Sequence, residues 1–108
     1  MPPEFNLNSE PIDDTRQVVA VAGEIDLFTA PELKSALGEA LESGRTRIVV
    51  DLTDTTFLDS TGIRLVVQLA RDLGAAFGVV RGAGEVARVF DLVGLDGRVR
   101  MLDAPPGE

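Results

Sequence analysis

Cysteine, histidine, tryptophan and tyrosine are all missing from the chain, and Lys34 is the sole lysine. Without cysteine there is neither a disulfide nor a thiol nucleophile. Without histidine there is no Ser-His-Asp triad and no imidazole acid–base catalyst. The two absences together remove the usual zinc ligand sets. With no Trp or Tyr, stacking platforms for bases or sugars are scarce. No apolar run approaches the ~20 residues of a membrane span. The opening Met1-Pro2-Pro3-Glu4-Phe5-Asn6 lacks the basic segment and apolar core of a signal peptide, so the expected location is cytoplasmic.

Positive charge is also short. Ten Lys and Arg stand against 18 Asp and Glu, a net charge of −8. Such a surface repels nucleic-acid phosphates and anionic lipid, so neither nucleic acid nor membrane is an expected partner. A basic protein or a cationic patch suits it better, and simple solubility is the plain alternative. The hydrophobic share, 44% of 108 residues, is that of one ordinary globular domain. We expect a single domain over residues 1–108, with an ordered core of about 5–102 and a flexible Pro/Gly tail at 103–108.

Periodicity orders the chain as follows. Phe5 to Asn8 alternates like a short half-buried strand, and Ser9 to Thr15 reads as a turn around Pro11. Val18 to Ala22 is continuously apolar, as a central strand is. Thr29-Ala30-Pro31-Glu32 opens a helix, with Thr29 and Glu32 placed for a capping box. Leu33, Ala36, Leu37, Ala40 and Leu41 follow at helical spacing up to Gly44. Arg47 to Leu52 is a β-branched strand. A polar loop ending in Asp59-Ser60-Thr61-Gly62 leads into a second helix that ends near Gly74. Ala75 to Val80 is a strand. Glu85 to Val93 is a third helix with Val86, Val89, Phe90 and Val93 on one face, and Val99 to Met101 a last short strand. The alternation predicts an α/β fold, a mixed, mostly parallel sheet of about five strands with helices mainly on one face.

The informative stretch runs from Val49 to Ile63. Ser60 stands at a helix start, where its hydroxyl can simply cap a backbone N–H. Thr61 is a second hydroxyl able to share that task. Gly62 lets another backbone approach closely, at a cost of about 0.5–1 kcal/mol inside a helix relative to Ala. A helix N-terminus also tolerates a phosphate. A phosphate on Ser60, next to Asp59, adds roughly −1.5 to −2 charges and acts by repulsion at a docked interface.

Asp26, Asp51, Asp54 and Asp59 lie near strand exits, where an α/β sheet gathers its ligands and where carboxylates can hold Mg²⁺. Against a metal-dependent enzyme, Asp51-Leu52-Thr53-Asp54 is not an Asp-x-Asp-x-Thr motif, and Lys34 lies in a helix. Asp54 reads as an ordinary turn former. Gly82-Ala83-Gly84 reads as a plain βα turn, lacking the full nucleotide fingerprints. The second helix carries a narrow polar strip of Arg64, Gln68, Arg71 and Asp72. Its wide apolar remainder either packs on a neighbour or forms a binding surface.

Three segments in order resemble the STAS domain, in particular the bacterial anti-sigma-factor antagonists. They are Gly23-Glu24-Ile25-Asp26 through Leu33, Val50-Asp51-Leu52 through Phe57-Leu58-Asp59-Ser60-Thr61-Gly62-Ile63, and Val86 through Phe90 to Gly94-Leu95-Asp96. The middle segment is the specific one. Departures from the family's pattern are small: Phe90 and Val93, in the third segment, stand where Leu and Thr are frequent. The resemblance implies a single STAS-like domain that binds an anti-sigma factor with serine kinase activity and so frees a sigma factor. It implies phosphorylation at Ser60, release of the partner, and reset by a serine phosphatase of the metal-dependent class. It makes Asp26 a position linked to kinase recognition, and places Thr61 and Gly62 in the contact loop. Asp59 and Arg64, which flank these two, complete the expected partner-binding set. No catalytic residue, metal or cofactor is expected. Other readings stay open: a STAS module of a signalling or transport assembly without a sigma partner, and a module binding a small molecule or nucleotide.

Overall fold

A computed structural model describes residues 4–106. The strands are β1 (Asn6–Pro11), β2 (Arg16–Ile25), β3 (Arg47–Asp51), β4 (Thr55–Leu58), β5 (Phe77–Val80) and β6 (Arg100–Met101). The helices are α1 (Ala30–Glu42), α2 (Ser60–Leu73) and α3 (Gly84–Val93). The sheet order is β1-β2-β3-β5-β6. Only β1 runs antiparallel to its neighbour. The fold class is the one predicted: a small mixed, mostly parallel α/β domain.

The faces of the sheet are unequal because β2, β3 and β5 alternate their side chains. Val19, Val21, Ile48, Val50, Phe77 and Val79 point into one core with Leu33, Leu37 and Ala40 of α1, Val66 of α2, and Val86 and Phe90 of α3. Val18, Val49 and Val80 form a smaller cluster on the other face, with Ile12 and Leu102 packed against it. Helices therefore cover one main face, as the count of three helices predicts. Asp103 and Ala104 are exposed, whereas Pro105 and Pro106 are half-buried. They line a hollow with Ile12, Val18 and Ala20. The rest of the expected tail, residues 107–108, lies outside the described residues.

Several boundaries differ from the expected ones, each for a local reason. β1 continues to Pro11, because a proline ending an edge strand sacrifices no ladder bond. The turn is confined to Ile12–Thr15, where the Asp13 carboxylate accepts from the Thr15 and Arg16 N–H groups. In α1, Leu41 faces solvent, off the buried Leu33-Leu37-Ala40 line. Val93 is likewise exposed at the end of α3.

The main surprise is β4, in the segment expected to be a polar loop. It pairs in parallel with the far end of β2, with Ile25 opposite Leu58. Thr55, buried at its start, donates its hydroxyl to the Val21 carbonyl at 2.8 Å. β2 can serve β3 first and β4 afterwards because β3 ends opposite Ala20, leaving Gly23 to Ile25 open; the β2–β4 register shifts between Gly23 and Glu24, where Thr56 is passed over. Gly23 has φ +90°, and a Cβ there would lie 2.8 Å from the Phe5 backbone. Only glycine fits that combination.

Candidate functional site

The carboxyl ends of β2 and β4 are adjacent, and the expected site residues follow directly from them. Asp26 is one residue past Ile25; Asp59 and Ser60 are one and two past Leu58. The Asp59 N–H donates to the Ile25 carbonyl at 3.1 Å, fixing the start of α2 against the end of β2.

Asp59, rather than Ser60 or Thr61, caps α2. Its Oδ1 accepts from the N–H groups of Thr61 at 2.9 Å and Gly62 at 3.1 Å. Two of the N–H groups that a helix start leaves orphaned are thereby satisfied. Ser60 is the first helical residue and is exposed. Its hydroxyl has no hydrogen-bond partner among the described residues, and neither has that of half-buried Thr61. The fold does not use the Ser60 hydroxyl, which leaves it free for other chemistry.

Gly62 is buried. A Cβ there would collide with the Leu58 side chain and come within 2.9 Å of Ile25 Cγ2. The close approach anticipated at this glycine is thus made by two core side chains, not by a backbone. Gly62 lets the first turn of α2 lie close on Leu58 of β4 and Ile25 of β2.

Asp26 is half-buried and organises the β2–α1 loop. Its Oδ1 accepts from the N–H groups of Phe28 at 2.9 Å and Thr29 at 3.0 Å. The backbone N–H of Thr29 is the main cause holding its carboxyl below the ordinary range, with Phe28 and the Thr29 hydroxyl adding to it against the opposing effect of burial. The expected capping box is absent. Thr29 makes no side-chain cap bond to α1, and its Oγ1 accepts from the Asp26 N–H and lies 2.8 Å from the Glu24 carbonyl. Asp26 and Thr29 together close a turn that pushes its tip outward.

That tip carries residues that sequence reasoning passed over. Leu27 is 66% and Phe28 84% exposed. Between α1 and α2 beside them lies an open groove of about 450 Å³, lined by Leu27, Ala30, Pro31, Lys34, Thr61, Arg64, Leu65 and Gln68. An apolar pair inside a turn, between Asp26 and Thr29, was the available signal.

The four strand-exit carboxylates do not converge. Asp51 accepts from the N–H and hydroxyl of its near neighbour Thr53. Asp26 and Asp59 are each occupied by main-chain N–H groups, and Asp54 is exposed. Among the described residues no three acidic side chains gather as a metal site would need.

The family model described as Mlab, STAS domain matches residues 8–103. Anti-sigma-F factor antagonist RsfB of Mycobacterium tuberculosis is 36% identical over 87 residues, 79% of this chain and 71% of that protein. The anti-sigma-B factor antagonist of Staphylococcus epidermidis is 35% identical over 95 residues, 84% of this chain and 88% of its own length. Among solved structures, an anti-sigma factor antagonist from Mycobacterium paratuberculosis superposes with a TM-score of 0.80 at 33% identity, covering 94% of this chain and 87% of that one. Unphosphorylated SpoIIAA, at 22% identity, matches in fold with a TM-score of 0.69, covering 93% of this chain and 90% of its own.

Proposed function

The chain belongs to the STAS domain family, and from that premise we propose that it is an anti-sigma factor antagonist switched by phosphorylation of Ser60. The unmodified protein binds an anti-sigma factor that is also a serine kinase and so frees a sigma factor in the cytoplasm. A serine phosphatase of the metal-dependent class resets the phosphorylated form. The protein itself is a regulatory binding partner, as its relatives are named, and the substrate of another protein's chemistry.

One observation carries this reading. The Ser60 hydroxyl is exposed and unbonded at the first position of α2 while Asp59 does the capping. Phosphorylation therefore breaks no hydrogen bond that the fold relies on. It places roughly −1.5 to −2 charges next to Asp59, whose N–H is bonded to the end of the strand that leads into the exposed Leu27 and Phe28. A docked partner covering those residues has to bury the phosphate or leave. Asp26, Asp59, Thr61, Gly62 and Arg64 are the proposed partner-contact set.

The test is capture of the anti-sigma factor by the purified chain, with intact-mass analysis before and after ATP. Wild type gains one phosphate, mapped to Ser60, and the complex separates. Ser60→Ala stays bound in ATP, and Ser60→Asp binds weakly from the start. Full binding by Ser60→Asp, with the phosphate mapped elsewhere, would refute the switch.

A further inference from the structure

The groove between α1 and α2 is opposite in sign to the net charge of the chain. The chain as a whole carries −8, yet the groove's two ionisable lining residues are Lys34 and Arg64, both basic. Among the described residues neither forms an ion pair; the two salt bridges, Arg16–Asp13 and Arg81–Asp91, lie elsewhere. Leu27, Ala30, Pro31 and Leu65 supply an apolar lining between the cations. Two unpaired cations beside an apolar surface, in an otherwise acidic protein, make a local complement to negative charge. Such an arrangement fixes the register of docking and rejects partners with the opposite pattern.

We propose that this groove receives a segment of the anti-sigma factor presenting a bulky aliphatic side chain flanked by carboxylates. The aliphatic group seats against Leu27, Pro31 and Leu65, and the carboxylates pair with Lys34 and Arg64. The inference rests on the reading of the chain as an antagonist and specifies which chemistry of the partner it grips. It also links the groove to the switch. Arg64 stands four residues after Ser60 on α2, the spacing at which helix side chains meet. A phosphate on Ser60 competes with the partner's carboxylates for the same guanidinium.

Because Lys34 is the sole lysine, the contact can be read at one atom. Carbodiimide treatment of the complex joins an amine to a carboxylate in direct contact, with loss of water. The expected product is an amide between Lys34 Nζ and an Asp or Glu of the anti-sigma factor, located by peptide mapping. Lys34→Arg, which keeps the charge without a primary amine, abolishes that product and binds more tightly than Lys34→Glu. The double variant Lys34→Glu/Arg64→Glu loses roughly tenfold or more in affinity, and the loss shrinks at high salt.

A complex that yields no link at Lys34, with the double variant binding within about twofold of wild type, overturns the groove while leaving the antagonist reading intact. A link from Lys34 to a second copy of this chain overturns it as well. Failure of wild type to bind any anti-sigma factor removes the parent reading, and this inference falls with it.

Discussion

Gly62→Ala and Gly38→Ala make the same chemical change in two helices and should move stability in opposite directions. Either one removes glycine from a helix, a gain of about 0.5–1 kcal/mol through the unfolded chain's entropy and helix propensity. At Gly38, in α1, a Cβ would meet nothing within 4 Å, so the gain stands alone. At Gly62 the Cβ would press on Leu58 and Ile25, which are 2% and 0% exposed and cannot swing into solvent. Overpacking of that kind costs about 1–3 kcal/mol. Setting a middle cost of about 2 against a gain of about 1 leaves Gly62→Ala destabilised by about 1 kcal/mol. Its Tm should fall by roughly 4–8 °C, while that of Gly38→Ala rises by a few degrees. Urea titrations should give displaced midpoints with unchanged slopes, since neither variant alters the surface exposed on unfolding. If Gly62→Ala is as stabilising as Gly38→Ala, the core has room above Leu58 and Ile25. Packing then no longer explains the glycine.

Replacing Asp59 by Ala should cost about 1 kcal/mol, and replacing it by Asn much less, because the amide oxygen can still cap. Faster hydrogen exchange at the Thr61 and Gly62 amides in the Ala variant alone would locate the loss, and equal behaviour of the two variants would sink the capping assignment. For Asp26 the sign follows from its lowered pKa. A group held below its ordinary value of 3.8 stabilises the fold above that pH, and the benefit fades as pH falls through the folded value. The Tm gap between wild type and Asp26→Asn should therefore be present at neutral pH and close on acidification. A gap independent of pH would mean that the ionised carboxylate adds nothing beyond the amide.

Much of the fold was legible because helices and buried strands advertise themselves through periodicity. The run Val18–Ala22 and the i, i+4 spacing of Leu33 and Leu37 needed no tertiary information. β4 was illegible for a physical reason. Thr55-Thr56-Phe57-Leu58 offers four residues with only Thr55 and Leu58 buried, too short and too irregular for period-2 alternation to register. What makes it a strand is an available edge, the last residues of β2 from Gly23 to Ile25. That edge exists only once β3 has ended at Asp51. Leu41 and Val93 failed in the other direction. Both sit at helical spacing from core positions, but Leu41 turns off the line that Ala40 still buries, and Val93 is the last residue of α3.

The same missing strand explains why the roles within Asp59-Ser60-Thr61 were ambiguous. Asp, Ser and Thr are all competent N-caps, so the sequence alone allows α2 to begin at any of three registers. β4 removes the freedom. Pairing of Leu58 with Ile25 and the bond from the Asp59 N–H to the Ile25 carbonyl fix Asp59 as the last non-helical residue. The carboxylate then falls into the capping position, and the serine falls one step later, outward and unbonded. A shift of one residue would have made Ser60 the cap and tied its oxygen to the backbone, where a modifying enzyme would compete with the fold for it. The register of a four-residue strand thus separates a structural task from a free hydroxyl. It leaves Ser60 open to modification without loss of the helix that presents it.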